Sequence, residues 1–255
     1  SFGPGHDSIE WRGAAERLAE PFQVFAPDLP GWGRSGRPSL DYDAELYIEF
    51  LIDFLVDVVR RRSVVVASGL SAAYALQVAV DRPELVRAVI LVCPLGIDQA
   101  SDEPDLSDAV IHRLLRLPLG GTSALNVYSS RNGLVHHLRR EVYSVPDRVD
   151  EGLVDHYWRG AHEAGSRAAL AAYLSGYLNH RVAEALPRYR PTTIPGAPGR
   201  TDRTVSVVVP TIDRYPYLEP LLGQLADQTV VHHQVLVVDQ TPRDHRRQDL
   251  EQLEP

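Results

Sequence analysis

The stretch RRRSVVVASGLSAAYALQVAV, Arg60 to Val80, decides how this chain folds. Ser63 to Ser68 is a β-branched run with no polar face, which predicts a strand buried on both sides in a parallel sheet. Ala72 to Val80 is an alanine-rich apolar run that predicts a helix. Only Ser68, Gly69, Leu70 and Ser71 stand between them, so strand must pass into helix through a sharp corner. The two chains then lie close together, and the residues flanking the corner have to be small. Ala67 and Ser71 are small, and Gly69 at the centre tolerates backbone angles that strain other residues.

Working outward, helix and strand patterns alternate. Ser8 to Glu20, SIEWRGAAERLAE, has helical periodicity with Ser8 as its N-cap. Phe22 to Pro38, FQVFAPDLPGWGRSGRP, reads as a short apolar strand entering a Pro/Gly loop, with Asp28 a turn residue. Asp43 to Val59 is a helix apolar on most faces. The helix after Gly69 closes at Arg82-Pro83, and RAVILVCP (Arg87–Pro94) is a second buried strand. This alternation predicts an α/β fold, a parallel sheet with flanking helices. From Asp98 to Arg190 only helical patterns occur, and Asp98 reads as loop surface. Pro187 to Arg203 is a Pro/Gly/Thr-rich linker, followed by VSVVVPT, the helix YLEPLLGQLADQ and QVLVVDQT, a short C-terminal βαβ unit.

The composition sets outer bounds. The 255 residues carry a net charge of −8, which argues against a general nucleic-acid or anionic-membrane binder. Cys93 is the single cysteine, so no intramolecular disulfide forms and a reducing, cytoplasmic setting is expected. No apolar run approaches the roughly 20 residues needed to span a bilayer, and no signal peptide opens the chain. The chain has no methionine, begins within what reads as a motif and ends inside a helix-like stretch, so both ends are expected to be cut.

FAPDLPGWGRSGRP and DRPELVRAVILVCPLG together carry a resemblance to the α/β-hydrolase fold over residues 1 to about 190. The resemblance implies a hydrolase-like core at 1–97 and a helical cap insertion at 98–190 that roofs an apolar ligand pocket; the linker at 191–203 and the βαβ unit at 204–255 then follow, and the strands of that unit are expected to pack against or extend the hydrolase-like sheet. It also implies that the chain starts just after the family's third strand, leaving an exposed sheet edge. In that family a serine sits on the strand-to-helix corner in a G-x-S-x-G pattern, and a histidine oriented by an acid activates it. Here the five positions are Ala67, Ser68, Gly69, Leu70 and Ser71, so Gly69 takes the nucleophile position.

Two serines could substitute. Ser68 in the slot would put Val66 and Leu70 at the small positions, and Ser71 would need Gly69 and Ala73 there while lying two residues into the helix. The bland readings are a turn residue for Ser68 and a first-turn helix serine for Ser71. The resemblance makes Phe2 and Leu70 the oxyanion-hole candidates. Its acid and histidine follow the seventh and eighth strands, where no match is seen. His112, His136, His137, His156, His162 and His180 fall in the helical insertion and are expected to face solvent, His136-His137 is a weak zinc signal, and His6 is a remote candidate for ligand contact. Loss of a triad serine lowers kcat by about 10⁶, so ester hydrolysis by residues 1–190 is expected to be negligible while small-molecule binding survives. No cofactor and no metal are expected.

VSVVVPTIDRYPYLEPLLGQLADQ followed by VLVVDQTP resembles the opening of a family 2 glycosyltransferase with the GT-A fold. That resemblance makes Pro210, Thr211, Asp213 and Asp239 nucleotide-binding candidates at the carboxyl ends of parallel strands. It departs at Ile212-Asp213, where an aromatic-Asn pair is commoner. The metal-binding D-x-D and the base of that family lie beyond Pro255, so a nucleotide-sugar is a partner only if the chain continues. The bland reading of Asp239 is a strand-end turn residue.

Overall fold

The computed structural model of the protein describes residues 2–96, 103–118, 120–143, 145–185 and 188–189, together with the strand backbones at 205–211 and 233–239. Four parallel strands form one sheet: β1 (Ser63–Ser68), β2 (Val86–Val92), β3 (Val205–Thr211) and β4 (His233–Asp239), hydrogen-bonded in that order. All four therefore end at the same edge. The C-terminal strands are not a separate layer: Ile90, Leu91 and Val92 pair with Ser206, Val207 and Val208. The helix expected between β3 and β4, and the linker 191–203, lie outside the described residues.

Helix α1 (Arg12–Leu18) follows a 3-10 turn at Ser8–Trp11, whose N-cap is Asp7 rather than the expected Ser8. The Asp7 carboxylate accepts from the Ile9 N–H at 2.9 Å and satisfies a first-turn donor that has no helical partner. Helix α2 (Ala44–Asp53) is capped by Asp43, which accepts from Leu46 N–H, and it runs on into π-helix at Phe54–Val59. Helix α3 (Leu70–Asp81) is buried along most of its length and packs on β1, β2 and α2. Its alanines, 72, 73, 75 and 79, let its backbone approach the sheet closely, and larger neighbours such as Tyr74, Leu76 and Val78 fill the flanks.

Phe22–Pro27 does not form the expected strand. A strand exists by pairing, and no described strand lies beside this segment, which leaves Phe22, Val24 and Phe25 exposed. On β1, Val64 and Val66 are likewise 50% and 38% exposed, so that strand is buried on one face only.

Between β2 and β3 the described chain is helical throughout: α4 (Leu106–Leu115), α5 (Gly120–Tyr128), α6 (Arg131–His137), α7 (Glu151–His162) and α8 (Ser166–Leu174). α6, the turns after it and α7 share a second small core of Leu134, Leu138, Val149, Val154 and Tyr157, while α5 joins the main core through Leu125 and α8 through Ala169, Leu170 and Ala172. Asp98 lies outside the described residues.

Asp28 organises the loop after Phe22–Pro27, as its turn assignment requires. Its carboxylate accepts from the Ser8 N–H at 2.7 Å and from the Arg34 N–H at 2.9 Å, and only 8% of its side chain is exposed. Burial alone would raise its pKa, but these donors and the Arg34 charge hold it below the usual carboxylate range. The stabilisation is therefore present above the unfolded value of about 3.9 and is lost as pH falls through the lower folded value. Asp28→Asn, which cannot accept from both donors as an anion, is expected to lower stability at neutral pH by about 1–3 kcal/mol. In urea unfolding the gap between wild type and variant should close as the pH approaches about 3.

Candidate active site

The corner between β1 and α3 has the geometry of a presenting turn. Gly69 sits at φ +56°, ψ −128°, a combination outside the regions open to side-chain-bearing residues without strain. Its backbone is fully tied down. The Gly69 N–H donates to Val92 O at 3.1 Å, and its carbonyl accepts from Ala72 N–H at 3.2 Å and Leu95 N–H at 3.1 Å. Among the described residues a Cβ built on Gly69 meets no atom within 4 Å, so a side chain there would clash with none of them.

Neither neighbouring serine occupies that position. Ser68 is the last residue of β1, paired in register with Val92 and half-buried. Ser71 is the second residue of α3, and its Oγ is buried with no hydrogen-bond partner. Leu70 opens α3 and is 6% exposed, so its N–H belongs to the first-turn donors that have no acceptor within the helix. Phe2, the other oxyanion candidate, sits in an aromatic nest. Its ring meets Trp32, Tyr47 and Tyr74 edge-on at centroid distances of 5.6, 4.9 and 5.8 Å. Tyr74 lies in the second turn of α3, which ties the Phe2 segment to the helix that follows Gly69. Burial pushes the Tyr47 and Tyr74 hydroxyls far above their ordinary pKa, so both stay neutral donors.

The chain leaving the helical insertion is bound to this same corner. Tyr74 Oη donates to Leu178 O, and Val182 N–H donates to Gly96 O at 2.8 Å, one residue beyond the Leu95 that contacts Gly69. His180 lies between these two anchors. Its ring centroid is 6.1 Å from that of Tyr74, its Nε2 is buried without a partner, and burial lowers its pKa, so it is a neutral imidazole near neutrality. The sequence assigned His180 to solvent; the anchoring of 178–182 on α3 is a long-range effect with no local signature.

Two other histidines also differ from expectation. His112 and His137 are 8% and 4% exposed, buried by α8 and by the N-terminal loop respectively rather than solvent-facing. His112 stacks on Tyr177 at 4.7 Å. His6 is buried; its Nε2 contacts His137 Nε2, and its Nδ1 lies 2.6 Å from Glu10 Oε1 without hydrogen-bond geometry. Among the described residues no group of three His, Cys, Asp or Glu side chains could hold a metal ion, His136-His137 included.

At the same sheet edge, Thr211 pairs with Asp239 and Pro210 with Val238 at the ends of β3 and β4. Asp213 lies outside the described residues. A cleft of about 420 Å³ elsewhere is lined by Arg37, Asn126, Ser129, His162, Arg167 and neighbours, and the Gly69 corner takes no part in it. No helix among the described residues is long and apolar enough to cross a membrane.

The sequence pattern of the Alpha/beta hydrolase family matches residues 2–245. An uncharacterised protein of Mycobacterium tuberculosis is 35% identical over 118 residues, 46% of this chain and 33% of its own. The 2-hydroxy-6-oxo-6-(2'-aminophenyl)hexa-2,4-dienoic acid hydrolase of Metapseudomonas resinovorans is 27% identical over 172 residues, 67% of this chain and 53% of its own. The chain thus spans between a third and about half of these relatives' length. Among solved structures, a serine hydrolase of carbazole degradation superposes with a TM-score of 0.65 at 19% identity, covering 94% of this chain and 79% of its own. Cfl2 of Burkholderia cenocepacia gives 0.61 at 22% identity, covering 93% and 78%.

Proposed function

This chain belongs to the α/β hydrolase family, and we propose that it carries glycine, at Gly69, where that family mounts its nucleophile and binds a small, largely apolar carbonyl compound without hydrolysing it. The observation that carries this reading is the room beside Gly69 among the described residues. An alkoxide cannot form there, and general-base activation by a histidine has nothing to act on. What remains is a binding site. The buried Ser71 Oγ and the neutral His180 supply polar handles, and the first-turn N–H groups of α3 can receive a carbonyl oxygen. The helical insertion acts as the cap over this site, and Leu178–Val182 is its hinge to the core. In sequence, Asp213 follows β3 and His245 follows β4, the order in which the family's acid and base succeed its last strands, and both lie outside the described residues.

The dienoic acid named for the Metapseudomonas relative is the ligand class to test. Mixed with this protein, it is expected to quench intrinsic fluorescence saturably while its own absorbance stays constant. A fluorophosphonate probe is expected to leave Ser68 and Ser71 unlabelled. Turnover of the dienoic acid, or a label on either serine, would mean that the chain is an active hydrolase. No saturable quenching would remove the binding reading.

A second reading concerns the β3–β4 pair. Thr211 and Asp239 are in-register neighbours at the carboxyl ends, the usual position for a nucleotide in parallel sheets. On this reading the segment from Val205 is the start of a glycosyltransferase nucleotide site with Pro210, Thr211, Asp213 and Asp239. Calorimetric titration with a nucleoside diphosphate sugar should then release heat that Asp239→Asn abolishes. Absence of heat counts against it.

A further inference from the structure

His6 and His137 form a contact that the site above does not use. His6 is on the N-terminal loop and His137 ends α6, 131 positions apart, and each is 4% exposed. Their Nε2 atoms are 3.1 Å apart. Each ring turns its other nitrogen to a carboxylate: His6 Nδ1 lies 2.6 Å from Glu10 Oε1, and His137 Nδ1 lies 3.0 Å from Glu141 Oε2. The result is a four-member line, Glu10–His6–His137–Glu141, running from the first turn of the chain into the helical insertion.

Counting protons shows what this line requires. It contains two hydrogen-bond contacts and one close charge contact, His6 Nδ1 meeting Glu10 Oε1 without hydrogen-bond geometry, and with both carboxylates ionised each of the three favours a proton supplied by an imidazole. Two neutral rings carry two protons, so one contact is left with facing lone pairs. One imidazolium and one imidazole carry three, and all contacts are satisfied. Two imidazolium rings carry four, and the two Nε2–H groups then oppose each other as like charges. We propose that this line is a pH-sensitive latch between the N-terminal loop and helix α6, closed when the pair holds a single extra proton and loosened on either side of that state.

The surroundings favour this count. Burial, and then the neighbouring His6 charge, lower the His137 pKa, so the second charge is resisted. Since the neutral form of His137 is the one the fold favours, that stabilisation is lost as pH falls through its depressed value. The other titratable groups facing the pair are tyrosines. Tyr157 of α7 donates to Glu10 at 3.2 Å and meets the His6 ring edge-on, Tyr143 contacts Tyr157 Oη at 3.3 Å, and Tyr128 of α5 is 6.0 Å from His137. Burial raises the Tyr157 hydroxyl and pushes Tyr128 up to about 12, so neither titrates in the histidine range. His156, 2.8 Å from Asp7, also bridges the loop to the insertion, but protonating it strengthens that pair. A loss of contact on the acid side therefore belongs to His6 and His137.

The test is hydrogen–deuterium exchange at about pH 5, 6.5 and 8, bracketing the ordinary histidine value of about 6.5. Protection of residues 2–10 and 131–142 is taken relative to α3, with intrinsic exchange rates corrected. The expected ratio is highest at the middle pH and falls about tenfold at the acid one, the equivalent of one pKa unit of coupling. His137→Gln and His6→Gln, each folded by circular dichroism, should flatten the acid limb, while His156→Gln should retain it. A ratio that is constant in wild type, or an acid limb that survives in whichever histidine variant of the pair folds, overturns the proposal.

Discussion

Gly5→Ala is expected to destabilise this protein by about 4 kcal/mol or more, enough to abolish cooperative unfolding in many single domains. Gly5 sits at φ +76°, which alone disfavours a side chain, and a Cβ there would overlap the carbonyl group of Tyr157 in α7. The approach is close from both sides, since a Cβ on Gly160 would lie 3.1 Å from Gly5 O. Two backbones pressed together leave no side chain to move aside, so relief requires α7 or the N-terminal loop to shift. That shift would also displace His6 from His137 and Glu10. Thermal or urea unfolding should show the loss, and Gly13→Ala, where a Cβ meets nothing within 4 Å on an exposed helix, is the matched control with a small effect.

Gly69→Ser is expected to behave oppositely despite a similar positive φ. The added Cβ clashes with none of the described residues, so the cost is confined to backbone strain of about 1–3 kcal/mol. In return the new hydroxyl stands at the presenting turn beside the first-turn N–H groups of α3. If Asp213 and His245 serve as acid and base, p-nitrophenyl ester hydrolysis should rise at least about 10²-fold, the lower range for general-base assistance. Fluorophosphonate labelling should appear at that position and at neither Ser68 nor Ser71. A variant that folds, takes no label and shows wild-type turnover would count against Asp213 and His245 while leaving the binding reading intact.

Which parts of this were legible in the sequence follows from where each signal resides. The β1–Gly69–α3 corner was readable because its constraints are local: a β-branched run, small flankers and a glycine within a dozen residues. Phe22–Pro27 has the same strand composition but no partner beside it among the described residues, and composition cannot supply one. His137 was in fact announced, since Leu134, His137 and Leu138 share one helical stripe and all three are buried while His136 is exposed. His112 was not. On α4 the apolar series Leu106, Val110 and Leu114 is 54–87% exposed while the histidine faces inward, the reverse of what hydropathy predicts. His180 depends on anchors at Tyr74 and Gly96, far away in the chain.

The aromatic nest around Phe2 has a spectroscopic consequence. Trp32 is 4% exposed, donates its Nε1–H to Tyr47 Oη at 2.9 Å and touches Phe2 and Tyr173, so its emission should lie at short wavelength. Trp158 is half-buried, stacks on His162 at 4.4 Å and has the Arg131 guanidinium 5.3 Å above its ring. The buried Trp32 thereby gives the protein a built-in optical channel on the Phe2 side of the corner, distinct from the longer-wavelength emission of the half-buried Trp158 and Trp11, with no label attached.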